Sequence, residues 1–149
     1  MEEIIIQELI DLSKSFPAVF NPIKNDLLSL EFVIAERKAF LTKQKLTYNC
    51  RVKIIEGTKE IRIFEILKES GSGLSIGGGE DDFGPGFGFK VEKTKIGFSG
   101  REGTIEEQSV LFSKRYQYNF SYEKIRKSVE ETALKFGYSL IPVLTQKGF

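Results

Sequence analysis

Histidine and tryptophan are absent from this 149-residue chain, and cysteine and methionine occur once each. Histidine supplies most general bases near neutral pH and is the commonest ligand for zinc and copper. Its absence excludes Ser-His-Asp and Cys-His chemistry within one chain. Any acid–base catalysis is left to Asp, Glu, Lys or Tyr, and any metal would be a hard, oxygen-bound ion such as magnesium or calcium. A single cysteine, Cys50, excludes an internal disulfide framework and a cysteine-rich zinc site. Strand alternation points Cys50 inward, as a structural thiol. Charge of one sign is also lacking: 22 Lys and Arg against 21 Asp and Glu leave a net +1, so no global field calls for nucleic acid or an anionic membrane. No apolar run approaches a membrane span, and MEEIIIQELI carries acids where a leader needs positive charge, so the expectation is a cytoplasmic protein with no membrane partner.

What the chain does have in excess is glycine in one place. Eight of its 14 glycines fall between Gly71 and Gly88, where helix or strand would be entropically expensive. The reading is a single domain, residues 1–149, with a Gly-rich loop at 70–88. Phe83, Phe87 and Phe89 argue against a purely disordered connector, because such segments are poor in aromatics.

The rest of the chain alternates between two periods. Residues 2–15 form a first helix with Ile5, Ile6, Leu9, Ile10 and Leu12 as its stripe, stopped at Phe16-Pro17, with 17–22 extended. Period two then marks Leu28–Ala35, Leu46–Ile54 and Glu60–Leu67 as strands, the last two joined by the turn Glu56–Lys59. Phe87–Phe98 and Val110–Phe120 read as further strands. Thr104-Ile105-Glu106-Glu107 also fits a capping box that would open a short helix, so 104–108 stays open. Ser121 is the expected N-cap of a helix over 122–136, Gly137 its C-terminal stop, and Tyr138–Leu144 a closing edge strand where Pro142 is tolerated, before a frayed tail. The fold class is therefore α+β: one antiparallel sheet of about five to six strands, with an N-terminal and a C-terminal helix packed on one face.

The candidate ligand site is placed at Gly77, Gly78, Gly79, Asp81, Asp82, Arg101 and Glu102. Glycine there lets backbone N–H groups approach a ligand, and Arg101 on a Gly-bounded turn suits a carboxylate or phosphate. Gly71–Gly77 fails both nucleotide-loop patterns, and Glu80-Asp81-Asp82 matches no EF-hand loop. Lys114–Tyr118 with Lys124, Arg126 and Lys127 mixes bases with aromatics, but Tyr116 and Tyr118 share a face with Val110 and Phe112, as core residues do. Nucleic acid is accordingly disfavoured as a partner. No catalytic residue, metal ligand or cofactor is assigned. The leading expectation is a binding or interaction module for a small molecule or protein. Two other readings stand beside it: a carboxylate-based enzyme, with or without magnesium, drawing on Glu80, Asp81, Asp82, Glu102, Glu106 and Glu107, and an RNA-binding or oligomeric structural protein.

Overall fold

The computed structural model describes residues 1–39, 42–73, 104–113, 116–118 and 121–149. Helix α1 (Glu2–Ser13) is followed by four strands, β1 (Asn21–Lys24), β2 (Leu27–Ala39), β3 (Thr42–Ile55) and β4 (Glu60–Gly73). Helices α2 (Ile105–Ser113) and α3 (Glu123–Lys135) come next, then β5 (Ser139–Pro142) and a short 3-10 turn at Gln146–Gly148. The five strands form one sheet in sequential order, α+β as the pattern of elements implied.

The sheet is mixed, which corrects the expectation of an antiparallel one. β1 to β4 pair antiparallel, but β5 pairs parallel with β4, Glu60 opposite Ser139 and Ile63 opposite Pro142. Tight turns force neighbouring strands to run antiparallel, whereas the connection between Gly73 and Ser139 carries helices and lets the chain return in the same direction. Hydrophobic period marks a strand and is blind to its direction.

Register fixes which residues meet. On one face Leu28, Val52 and Ile63 lie in one row, Leu30, Cys50 and Glu65 in the next, and Phe32, Tyr48 and Leu67 in a third. Apart from Glu65, these side chains join Ile5 and Leu9 of α1 and Ile125, Val129 and Ala133 of α3 in the core. A bulge between Val33 and Ala35 lets Ile34 and Ala35 both turn to that core and restores the alternation beyond it. β4 is buried on both sides: Ile61, Ile63 and Leu67 on one face, Phe64 and Ile66 on the other. Ser13 is a buried pin, accepting the Phe20 N–H at 2.9 Å and donating to the Ile10 carbonyl.

The strand expected over 110–120 is instead helix α2 followed by irregular backbone at 116–118. Ile105, Gln108 and Phe112 are its buried residues, a helical spacing that decides against period two. The capping box forms in full: the Thr104 N–H donates to Glu107 at 3.1 Å, and the Glu107 N–H donates to the Thr104 hydroxyl at 3.2 Å. Ser121 does not cap α3 with its side chain. Tyr122 already has helical backbone, and the Ser121 carbonyl accepts from the Lys124 N–H. Gly137 does stop the helix, at φ +76°, and its N–H closes on the Leu134 carbonyl. β4 runs on to Gly73, so 70–73 belong to a strand and not to the loop, and the final residues coil so that Phe149 meets Phe64 edge to face at 6.2 Å. The expected strand 87–98 lies outside the described residues.

Pro142 sits where a proline costs a sheet nothing. Ser139 and Val143 donate their N–H groups to Lys59 and Ile63, so odd-numbered residues of this strand face β4. The N–H that Pro142 lacks would have pointed away from the sheet, toward its open edge.

A clamped guanidinium beside a gap in the sheet edge

β5 covers β4 only as far as Ile63, and the edge is taken up again at Leu67, whose N–H donates to the side-chain oxygen of Gln108 on α2 at 3.0 Å. Among the described residues nothing pairs with the edge of β4 between the two cover pieces, at Glu65. By strand alternation the backbone N–H and C=O of Glu65 point the same way as those of Ile63 and Leu67, into this gap.

Glu65 occupies the core-facing row of β4, between Ile63 and Leu67, and only 4% of its side chain is exposed. A carboxylate taken out of water needs its oxygens satisfied, and both are. Tyr48 donates its hydroxyl to Oε2 at 2.6 Å, and Arg126 donates Nε to Oε1 at 2.6 Å. Arg126 reaches down from α3 and donates Nη1 to Glu106 of α2, also at 2.6 Å. One guanidinium thus ties a sheet strand to two helices. The ring of Tyr48 is held in turn by Tyr122, stacked at 5.9 Å, and by Phe32 at 5.4 Å.

These contacts set protonation states. Burial alone would lower the pKa of Arg126, but the carboxylates of Glu65 and Glu106 outweigh it and hold the guanidinium charged. Burial is the largest single influence on Glu106 and would raise it, but the hydrogen bond and charge of Arg126, with a backbone N–H and Thr104, together outweigh it and leave this carboxyl below the usual range. Burial pushes the Tyr48 phenol and the Cys50 thiol well above their ordinary values, and the Glu65 charge adds to both. Neither is therefore a nucleophile at neutral pH.

Beside this network lies a cleft of about 120 Å³, lined by Ile63 and Glu65, by Thr104, Ile105 and Glu106, by Arg126 and by Pro142–Leu144. Five of its nine lining residues are apolar, and two carboxylates and one guanidinium are among the other four. A shallower depression of about 460 Å³ lies along Ser109, Val110 and Ser113 with Tyr116–Tyr118, but three of its hydroxyls are already engaged. Tyr118 donates to the Ser109 carbonyl, Ser109 to Glu106 and Ser113 to Val110.

All seven expected site residues, Gly77, Gly78, Gly79, Asp81, Asp82, Arg101 and Glu102, lie outside the described residues, as does Glu80. Of the carboxylates grouped for an enzyme, Glu106 and Glu107 are described and do not converge: one turns to Arg126, the other to the Thr104 N–H. Among the described residues no three Asp, Glu or Cys side chains are placed to hold a metal ion, and no helix is long and apolar enough to cross a membrane. Tyr116 is buried, as the core reading of that aromatic run required.

No known family model matches this chain. Comparison with curated proteins and with solved structures likewise finds no match, so its function is argued from the geometry alone.

The Glu65–Arg126 clamp was missed, though half of it was readable. Glu65 interrupts the row Ile61, Ile63, Leu67 at the position where alternation demands an apolar residue. A charge in such a row calls for a buried partner. Which of the chain's cations would answer was hidden, because Arg126 lies far along the sequence on another element.

Proposed function

We propose that the protein is an interaction module whose cleft at the open edge of β4 receives an alkyl cation, the side chain of a lysine or arginine presented by a partner peptide. The observation that carries this reading is the charge and wall pattern of the cleft: two carboxylates paired with one guanidinium line it together with five apolar residues. The surplus negative charge favours a cation, and the walls of Ile63, Ile105 and Val143 suit the methylene stem of such a side chain. Volume supports a side chain over a cofactor. About 120 Å³ is well under the ~300 Å³ at which pockets for drug-sized ligands begin, and equals the bulk volume of about four waters. Glu106 is the natural ligand for the incoming cation. It is kept ionised by Arg126 and its side chain is 59% exposed. The backbone groups of Glu65 that face the gap would take up the partner's own amide, as in strand addition.

A thermal-shift series with n-butylammonium, n-butylguanidinium, n-butanol and butyrate tests this. The two cations raise the melting midpoint, by mass action on the folded state, and the alcohol and the acid do not. Glu106→Gln removes the response to the cations. Preference for butyrate would reverse the reading, making Arg126 the recognising group and the ligand an anion.

A further inference from the structure

Beyond β5 the chain passes from the edge of the sheet to its other face. Val143 is fastened at the edge, its N–H donating to the Ile63 carbonyl at 2.8 Å. Phe149 lies on the face opposite the core, where its ring meets Phe64 edge to face at 6.2 Å. Phe64 is 1% exposed and stands apart from the main core cluster. Between these two points the chain turns once, through Gln146–Gly148, and the Phe149 N–H closes on the Gln146 carbonyl at 3.3 Å. Both anchors of the segment therefore fall on neighbouring residues of β4, Ile63 and Phe64. The side chains of Leu144, Thr145, Gln146 and Lys147 between them are exposed.

This segment also supplies part of the cleft beside the guanidinium. Val143 and Leu144 line it together with Ile63 and Ile105. Leu144 is 57% exposed, so over half of its apolar surface is left for an entering group to cover. No hydrogen bond among the described residues holds Leu144 itself. Its place in the wall is set by the anchors on either side, at Val143 and at Phe149.

We propose, resting on the reading of this cleft as a receptor for an alkyl cation, that Leu144 sets the chain length the cleft prefers and that Phe149 is the residue that positions it. With the Phe149 ring seated on Phe64, residues 144–148 form a short closed loop that has few conformations open to it. With the ring released, Leu144 is tethered at Val143 alone and can leave the wall. Chain length is the property affected, because each methylene covered by an apolar wall strengthens binding by up to about fourfold, whereas the charge on the cation is recognised elsewhere, at Glu106.

Titration of the full chain with ethylammonium and with n-butylammonium, followed at the Ile63 and Ile105 methyl groups, tests this. The wild type binds the longer cation about tenfold more tightly, from two added methylenes. Leu144→Ala brings that ratio down to about threefold. Phe149→Ala lowers it equally, and adding it to Leu144→Ala lowers it no further, as for residues that act through one contact. Phe149→Trp keeps a ring against Phe64 and restores the ratio. A second readout needs no ligand: Phe149→Ala speeds hydrogen exchange of the Val143 amide by about tenfold, while the Ser139 amide, bonded to Lys59 at the start of β5, keeps its rate. Thermal melts confirm that each variant is folded. An unchanged ratio in Leu144→Ala, an additive loss in the double variant, or an unaltered Val143 amide in Phe149→Ala would each overturn the proposal and leave the cation reading standing. A wild type that takes up neither ammonium overturns the cation reading and, with it, the role given to Leu144.

Discussion

Glu65 shows why one residue can matter more than the bond it makes. Its carboxylate is satisfied by Tyr48 and Arg126, so removing it takes away an acceptor from a buried phenol and from half of a guanidinium. Breaking a buried pair costs about 3–5 kcal/mol; Arg126 keeps Glu106 and is 30% exposed, so Glu65→Leu should cost nearer 2–3 kcal/mol. Urea unfolding measures this, and a cost under about 0.5 kcal/mol would show the clamp to be ornamental. Glu65→Leu combined with Arg126→Leu should recover part of the loss, because no stranded charge remains. The pH dependence follows from Glu106. Its folded pKa is depressed, so its pairing contributes above the ordinary glutamate range and is lost as pH falls through the folded value. The stability difference between wild type and Glu106→Gln should therefore shrink on acidification below about pH 4.5. Cys50 follows the opposite sign. With its thiol raised by burial, it should resist a thiol-specific reagent at pH 8 in the folded protein and react once urea unfolds it.

At the scale of the element, the two best local stops and starts are testable by single changes. Thr104→Ala removes one half of the α2 capping box and should cost about 1 kcal/mol; Gly137→Ala should cost about 1–2 kcal/mol, purely from a left-handed backbone, since nothing lies within 4 Å of the added methyl. A loss of several kcal/mol in either would mean that α2 or α3 is held otherwise. These elements also show what could be read ahead of the structure. The hairpin of β3 and β4, the stripe of α1, the stop at Gly137 and the edge position of Pro142 followed from period and turn chemistry. α2 did not, because Val110, Phe112 and Tyr116 satisfy period two as well as a helix does, and only the reciprocal Thr104 and Glu107 bonds decide between them. The candidate site was legible only as an anomaly at Glu65. Its cation, its second carboxylate and its cleft are made by register and by helices arriving from far along the chain, and no local rule encodes those.

For the whole molecule, the arrangement of cover along β4 is what joins the fold to the proposed function. A parallel final strand ends early at Pro142, a helix side chain resumes the cover at Leu67, and the gap between them exposes the backbone of a buried, charge-bearing residue. Pro142 removes one N–H from the outer edge of β5, and among the described residues nothing pairs with β4 at Glu65. The central claim is that this gap is a receptor for an alkyl cation. The most direct test is a methyl NMR titration of the full chain with n-butylammonium and, separately, butyrate. The account predicts saturable shifts with the ammonium at Ile63, Ile105 and Val143, lost in Glu106→Gln, with Leu28 and Leu30 across the core unmoved. Shifts with butyrate instead, or none with either ligand, would contradict it.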